Sequence, residues 1–129
     1  MNVLERNKQN VTQFYELMFN KCRPREAAQR FMGKWFTQHN PAMSDGPEAF
    51  IRFYEKLAID NPGKKVEFKR VVAEGDLVVL HCRHKWASGP EFASIEIFRL
   101  DDEGMILEHC DVIQRVPEPE KAANTNTMF

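Results

Sequence analysis

The chain has few cysteines and no long apolar run, and each shortage excludes a class of protein. Its 129 residues include three cysteines at unrelated spacings, without a Cys-x-x-Cys pair. An odd, unpatterned set predicts reduced thiols in a cytoplasmic protein and argues against a disulfide framework. No apolar run approaches the ~18 residues of a membrane span, and the first residues become charged at Glu5. We therefore expect neither a membrane segment nor a secretion signal.

An excess of charge of one sign is also missing. Eighteen basic residues stand against nineteen acidic ones, which gives a formal net charge of −1. This balance argues against the broad basic surface that nonspecific nucleic-acid binding needs. At 43% hydrophobic and 29% charged residues the composition is that of an ordinary globular domain. We place that domain at residues 1–116 and treat residues 117–129, rich in proline, asparagine and threonine, as a C-terminal tail.

The usual cofactor and nucleophile motifs are absent. The chain has no Gly-x-Ser-x-Gly, no phosphate-binding loop and no dinucleotide fingerprint. No close pair of histidines or cysteines has the spacing typical of a metal site. Cys110 is expected on the core side, away from a base that could activate it. We therefore expect neither a metal nor an organic cofactor.

The first part of the chain has the periodicity of helices. Apolar residues recur at helical spacing before Gly63 and alternate after it. The first stripe predicts a helix over residues 2–21. A second helix should begin at Pro24, which suits a first turn, with an apolar stripe that extends to Trp35.

A polar loop and a third helix complete the first half. Residues 37–41 are predicted as a loop. Asp45 and Glu48 have the spacing of a capping box, with Pro47 in the first turn, so the third helix should begin there. It should end at Asn61, before a proline and a glycine.

The second half alternates between apolar and polar residues, as strands do. Short polar turns separate four such segments and indicate antiparallel hairpins. The predicted strands are residues 66–73, 77–86, 92–100 and 105–116. Three helices followed by an antiparallel meander define the α+β class, with the helices on one face of the sheet.

The other face of that sheet is also apolar. Ile95 and Ile97 share one face of the third predicted strand, while Phe92 and Phe98 share the other. Both faces should therefore be covered, one by the helices and the other by a second subunit. We expect a homodimer formed through the outer face of the sheet.

Polar residues interrupt the apolar pattern of the last hairpin. Strand parity places His109 and Asp111 on one face, and Glu96 lies between phenylalanines on its own strand. Two acids and a histidine that converge in an apolar cavity would suit acid–base catalysis. Alternation also permits His109 and Asp111 to face solvent or to form a satisfied structural pair, and both interpretations stay open here.

Four blocks of the sequence form a recognisable set: Gln38-His39-Asn40-Pro41, Gly46-Pro47-Glu48-Ala49-Phe50, Ala73-Glu74-Gly75-Asp76-Leu77-Val78, and Ile97-Phe98-Arg99-Leu100 with Gly104 and Glu108–Gln114. In order and in spacing they resemble SnoaL-like proteins of the nuclear-transport-factor-2-like (NTF2-like) superfamily. The resemblance runs over nearly the whole chain. It implies a cone-shaped fold in which three N-terminal helices pack into a strongly curved antiparallel sheet and enclose a pocket, usually in a homodimer.

The resemblance also implies roles for residues. The family's named activity is polyketide cyclisation by aldol condensation without a cofactor, and its acid/base aspartate corresponds to Asp111. His109 matches a neighbouring pocket histidine, whereas Glu96 stands where the cyclases have a histidine. Asn40 matches an asparagine before proline. We expect a substrate to contact Asn40 together with His39, Gln38, Trp35 and Phe98.

These observations favour a cofactor-independent enzyme that performs acid/base chemistry on a small apolar carbonyl compound. Aldol condensation, cyclisation or isomerisation would all fit, with Asp111, His109 and Glu96 as catalytic residues. The alternative is a dimer that binds a small molecule without chemistry, which the departure at Glu96 supports. A third interpretation is a dimeric interaction module whose cavity is incidental.

Overall fold

The computed structural model describes all 129 residues, and its three helices pack against one face of a five-stranded sheet. The helices are α1 (Val3–Tyr15), α2 (Pro24–Phe31) and α3 (Pro47–Asp60). The strands are β1 (Met32–Gln38), β2 (Lys65–Glu74), β3 (Leu77–Lys85), β4 (Phe92–Leu100) and β5 (Ile106–Arg115). The predicted α+β NTF2-like fold is confirmed, with a sheet that curls without closing.

The second helix is shorter than its apolar stripe predicts. It ends at Phe31, and Met32–Gln38 form β1, which pairs with β5 in parallel. The sheet order is β1-β5-β4-β3-β2, so the sheet is mixed: the four predicted strands are antiparallel, and β1 is a fifth strand that the sequence pattern did not predict. The free edge of β5 supplies backbone partners for residues that have little apolar alternation of their own.

The meander of β2 to β5 agrees with the alternation of the sequence. All three neighbouring pairs are antiparallel. The β2–β3 and β4–β5 turns contain Gly75 and Gly104 at φ of 59° and 84°, a backbone region that glycine adopts without strain.

The helix ends differ in how they are capped. The Asn2 side chain accepts a hydrogen bond from the Glu5 amide at 2.9 Å and so begins α1. That helix continues into one π-helical turn, Glu16–Asn20. Pro47 lies in the first turn of α3 as expected, but no side chain caps this helix, so the predicted capping box does not form.

The space between helices and sheet is filled mainly by aromatic rings. Phe14 stacks on Phe50 at 5.7 Å between ring centroids and meets Phe98 edge-on at 6.0 Å. Tyr15 stacks on Phe19 at 5.8 Å. No helix is long and apolar enough to cross a membrane.

The outer face of the sheet carries both an exposed apolar surface and the end of the tail. Val72, Ile95 and Val112 are 58%, 41% and 74% exposed on β2, β4 and β5. The Phe129 ring stacks on His81 of β3 at 5.7 Å, so the last residue of the tail packs against this face.

Candidate active site

The β4–β5 hairpin brings two acids and a histidine together on the sheet face that the helices cover. Glu96 lies directly opposite Asp111, and Phe98 lies opposite His109. The side chains of Glu96, His109 and Asp111 are 1%, 3% and 4% exposed. Each of the three side chains has one atom that could bind a metal ion, and these three atoms lie within 4.8 Å of one another. The convergence that strand parity suggested is therefore present in the structure.

Each nitrogen of the His109 ring has a defined neighbour. Nδ1 lies 2.7 Å from Oε1 of Gln38, and Nε2 lies 3.2 Å from Oε1 of Glu96. Oδ2 of Asp111 is 3.9 Å from the same Nε2, which is too long for a hydrogen bond. His109 therefore interacts directly with Glu96 and only electrostatically with Asp111.

Asp111 is held by one amide group. The Asn40 Nδ2 donates to Oδ1 at 2.9 Å and to Oδ2 at 3.0 Å. Asn40 is itself fixed, because its Oδ1 accepts a hydrogen bond from the Ala42 amide at 2.9 Å. No lysine or arginine forms an ion pair with Asp111, so its carboxylate keeps the lone pairs that a general base needs.

Glu96 is the least satisfied of the three groups. Its Oε1 accepts a hydrogen bond from the Tyr15 hydroxyl at 3.1 Å, whereas its buried Oε2 has no partner. Like charges directly opposite each other on neighbouring strands are destabilising. Burial of two carboxylates side by side is therefore costly unless a proton is shared within the group.

The polar network extends beyond the residues that the sequence indicated. His84 Nε2 lies 2.9 Å from the Ser94 hydroxyl and 3.4 Å from the Tyr15 hydroxyl. Tyr15 belongs to the apolar stripe of the first helix, and this spacing predicts packing against the core and no role in a polar network. The alternation of β3 alone does not say which of its faces the helices cover, so no signal identified this extension.

The neighbouring titratable groups stay neutral. Burial, reinforced by the charge of Glu96, raises the pKa of Tyr15 well above its usual value and that of the Cys82 thiol to about 12. Burial, with a smaller contribution from Lys64, lowers the pKa of His84 to about 4. None of these groups supplies a positive charge at neutral pH that would offset Glu96.

The remaining expected site residues divide into two sets. The Phe98 ring lies 4.9 Å from the His109 ring and forms one wall of the site. Asn40 contacts Asp111 directly, and Gln38 contacts His109. Trp35 is 58% exposed on β1 and is not brought to the cluster. His39 points away as well, because its Nε2 pairs with Oε2 of Glu108 at 2.7 Å.

The spacing of the donor atoms suits a shared proton. One imidazole nitrogen and two carboxylates are also ligands that a divalent cation can bind. The 3.2 Å between His109 Nε2 and Glu96 Oε1 is a hydrogen-bond distance, and two atoms bound to one cation lie at a similar separation. The arrangement seen here fits a proton shared by His109 and Glu96.

A large surface concavity lies away from this cluster. A concavity of about 940 Å³ runs between the C-terminal tail and the outer side of the sheet, where Arg83, Glu91 and Gln114 line it. The cluster itself is covered by α1, by Phe98 and by the segment that carries Asn40 and Met43. A ligand that reaches Glu96 must therefore displace part of this cover.

The fold defines an NTF2-like α+β protein with a buried acid–histidine cluster on its sheet. The sequence profile of the SnoaL-like domain matches residues 11–109. The chain therefore belongs to the SnoaL-like family. No curated protein matches the chain.

Solved structures agree with this assignment at the level of the fold. TsrD from Streptomyces laurentii is 21% identical with a TM-score of 0.70, over 84% of this chain and 88% of that one. A protein of Jannaschia sp. CCS1, named as a candidate SnoaL-like polyketide cyclase, is 20% identical with a TM-score of 0.72 over 88% and 90%. An NTF2-like protein of unknown function from Mesorhizobium loti is 18% identical with a TM-score of 0.69 over 88% and 95%.

Proposed function

We propose that this protein is a cofactor-independent enzyme that performs acid/base chemistry on a small apolar carbonyl compound, of the aldol condensation, cyclisation or isomerisation type. The observation that carries the proposal is the buried cluster of Glu96, His109 and Asp111 with one unpartnered carboxylate oxygen. Membership of a family that includes candidate polyketide cyclases supports it. A structural role alone would not need two acids opposite each other in an apolar interior.

Asp111 is the general base of the proposed reaction. It removes a proton from the carbon next to the substrate carbonyl, and Asn40 keeps both of its oxygens oriented during the transfer. Glu96, in its protonated form and oriented by His109 at Oε1, then donates a proton from the unpartnered Oε2 to the enolate oxygen, which gives an enol. In an aldol step the enol carbon bonds to a second carbonyl carbon while the enol proton returns to Oε2 of Glu96, and Asp111 gives its proton to the new alkoxide.

A panel of small β-keto compounds tests this function. Asp111→Asn should lower kcat by about 10²–10⁴-fold, the usual contribution of a general base. The variant keeps an acceptor for Asn40 and should stay folded. Asp102→Asn, an exposed change in the β4–β5 turn, is the matched control and should turn over normally. An Asp111→Asn protein with wild-type turnover contradicts the assignment.

The unpartnered Oε2 of Glu96 also favours a second function, namely binding of a small molecule without chemistry. A retained ligand would supply the hydrogen-bond partner that the protein lacks. Native mass spectrometry distinguishes the two functions. A tightly held cellular ligand with no turnover of the panel supports binding, whereas turnover by an unliganded protein supports catalysis.

The outer face of the sheet supports a homodimer. Val72, Ile95 and Val112 are exposed apolar side chains on β2, β4 and β5, and a second subunit would cover them.

The three cysteines are all free thiols, which fits a reducing compartment, and we place the protein in the cytoplasm.

A further inference from the structure

We propose that Gln38 is a positioning residue that keeps the proton of the neutral His109 ring on Nδ1, so that the lone pair of Nε2 faces Glu96. The catalytic consequence rests on the function proposed above, but the proton position itself does not. The geometry of β1 carries the inference, because Gln38 pairs with His109 in the parallel β1–β5 register.

The orientation of the Gln38 amide follows from its neighbours. Its Oε1 accepts a hydrogen bond from the backbone amide of Asn40 at 3.0 Å, and a backbone amide can only donate. Its Nε2 donates to the Met43 sulfur at 3.5 Å. Rotation of the amide by half a turn would set two donors against each other at Asn40. The oxygen must therefore lie where the structure has it.

This orientation decides which ring nitrogen carries the proton. The Gln38 oxygen lies 2.7 Å from His109 Nδ1 and offers only an acceptor, so Nδ1 must be the donor. In the neutral ring Nε2 is then an acceptor, 3.2 Å from Oε1 of Glu96. Nε2 therefore presents its lone pair to Glu96 and can accept a hydrogen bond from a protonated Oε1.

Without Gln38 the other tautomer would be favoured. Oxygens of Glu96 and Asp111 lie 3.2 Å and 3.9 Å from Nε2, and both attract a proton to that nitrogen. A ring with its proton on Nε2 cannot accept the proton of Glu96 or return it. The Gln38 oxygen opposes this preference, as the outer partner of a functional histidine commonly does.

The segment that carries Gln38 is fixed on both sides of β5. The backbone amide of His39 donates to the His109 carbonyl at 3.0 Å, while the His39 ring pairs with Glu108 on the outer side. On the inner side Gln38 contacts His109, and Asn40 holds Asp111. These contacts on both sides of β5 therefore hold the Gln38 oxygen within hydrogen-bond distance of His109 Nδ1.

Long-range proton–nitrogen NMR spectra of protein labelled at histidine nitrogen test the proposal. The spectra are recorded at a pH where the His109 ring is neutral, and a His109→Asn variant assigns its signals. We expect the Nδ1–H tautomer in the wild type.

Gln38→Met has nearly the same shape but no oxygen, and it should move the proton to Nε2. Gln38→Glu retains an acceptor and should preserve Nδ1–H, and Gln13→Met on the exposed side of α1 is the matched control.

Turnover adds a second readout. Gln38→Met should lower kcat roughly 10-fold with a smaller change in KM, and Gln38→Glu should restore most of it. An Nε2–H ring in the wild type overturns the proposal without any variant. A folded Gln38→Met protein that keeps Nδ1–H overturns it as well. If no compound is turned over, the function fails while the spectra still decide the role of Gln38.

Discussion

Lowering the pH from neutral to about 5 should destabilise this protein through His84, the buried histidine of β3. The ring packs edge-on against Phe19 at 5.1 Å, and its Nε2 lies 2.9 Å from the Ser94 hydroxyl, within hydrogen-bond distance. Lys64 and Tyr15 are the titratable groups that lie against it, and neither offers a negative charge. Protonation of His84 in the folded state is therefore unfavourable.

The magnitude follows from the shift in pKa. The folded protein has a His84 pKa of about 4 against 6.5 for an unperturbed ring, so the unfolded chain binds a proton first as the pH falls. Stability is complete above the unfolded value and is lost progressively between about 6.5 and 4. At 1.36 kcal/mol for each pKa unit, the whole shift corresponds to about 3 kcal/mol, of which about 2 kcal/mol is lost by pH 5.

Urea unfolding at the two pH values measures this loss. His84→Gln removes the titration but keeps both a donor and an acceptor for Ser94, so the wild type should lose about 2 kcal/mol more than the variant on acidification. His81→Gln, on the outer face of the same strand, is the matched control and should behave as the wild type does. Parallel loss of stability in wild type and His84→Gln would refute the reasoning.

Two further changes test the packing of Glu96 and the outer face of the sheet. Tyr15→Phe removes the hydroxyl that donates to Glu96 and should lower the free energy of unfolding by about 1–3 kcal/mol, measured in urea. Tyr54→Phe removes a hydroxyl without a protein partner and should cost less, so equal losses would contradict the role given to Tyr15. Val112→Asp should convert the proposed dimer to a monomer in light scattering without unfolding the protein, because a charge would enter the proposed interface. Ile59→Asp, a change at a residue 79% exposed on α3, should leave the proposed dimer intact, and a dimeric Val112→Asp protein would show that the outer face is not the interface.

The sequence predicted those parts of the site that depend on alternation along one strand. His109 and Asp111 are two residues apart and Glu96 lies within an alternating run, so their shared face follows from the period of a strand. Their burial depended on which face the helices cover. The apolar stripe of α1 implied that one face would be covered, and Tyr15 shows which one, since it reaches Glu96.

The strand β1 shows where local pattern fails. Residues 32–38 continue an apolar stripe of helical spacing and are interrupted by Gly33, so their pattern predicts the end of a helix followed by a loop. They form a strand because the edge of β5, about 70 residues away in sequence, offers backbone partners. Register with a distant strand cannot be derived from the residues of either strand alone.

The sequence by itself thus determined the class of fold, the meander of β2 to β5 and the presence of two acids and a histidine in an apolar hairpin. The tertiary structure alone decided that Gln38 and Asn40 face this cluster while His39, between them, pairs with Glu108 outside it. It also decided that Tyr15 and His84 extend the network. The physical reason is that periodicity fixes which side chains share a face, whereas pairing between distant segments fixes what that face meets.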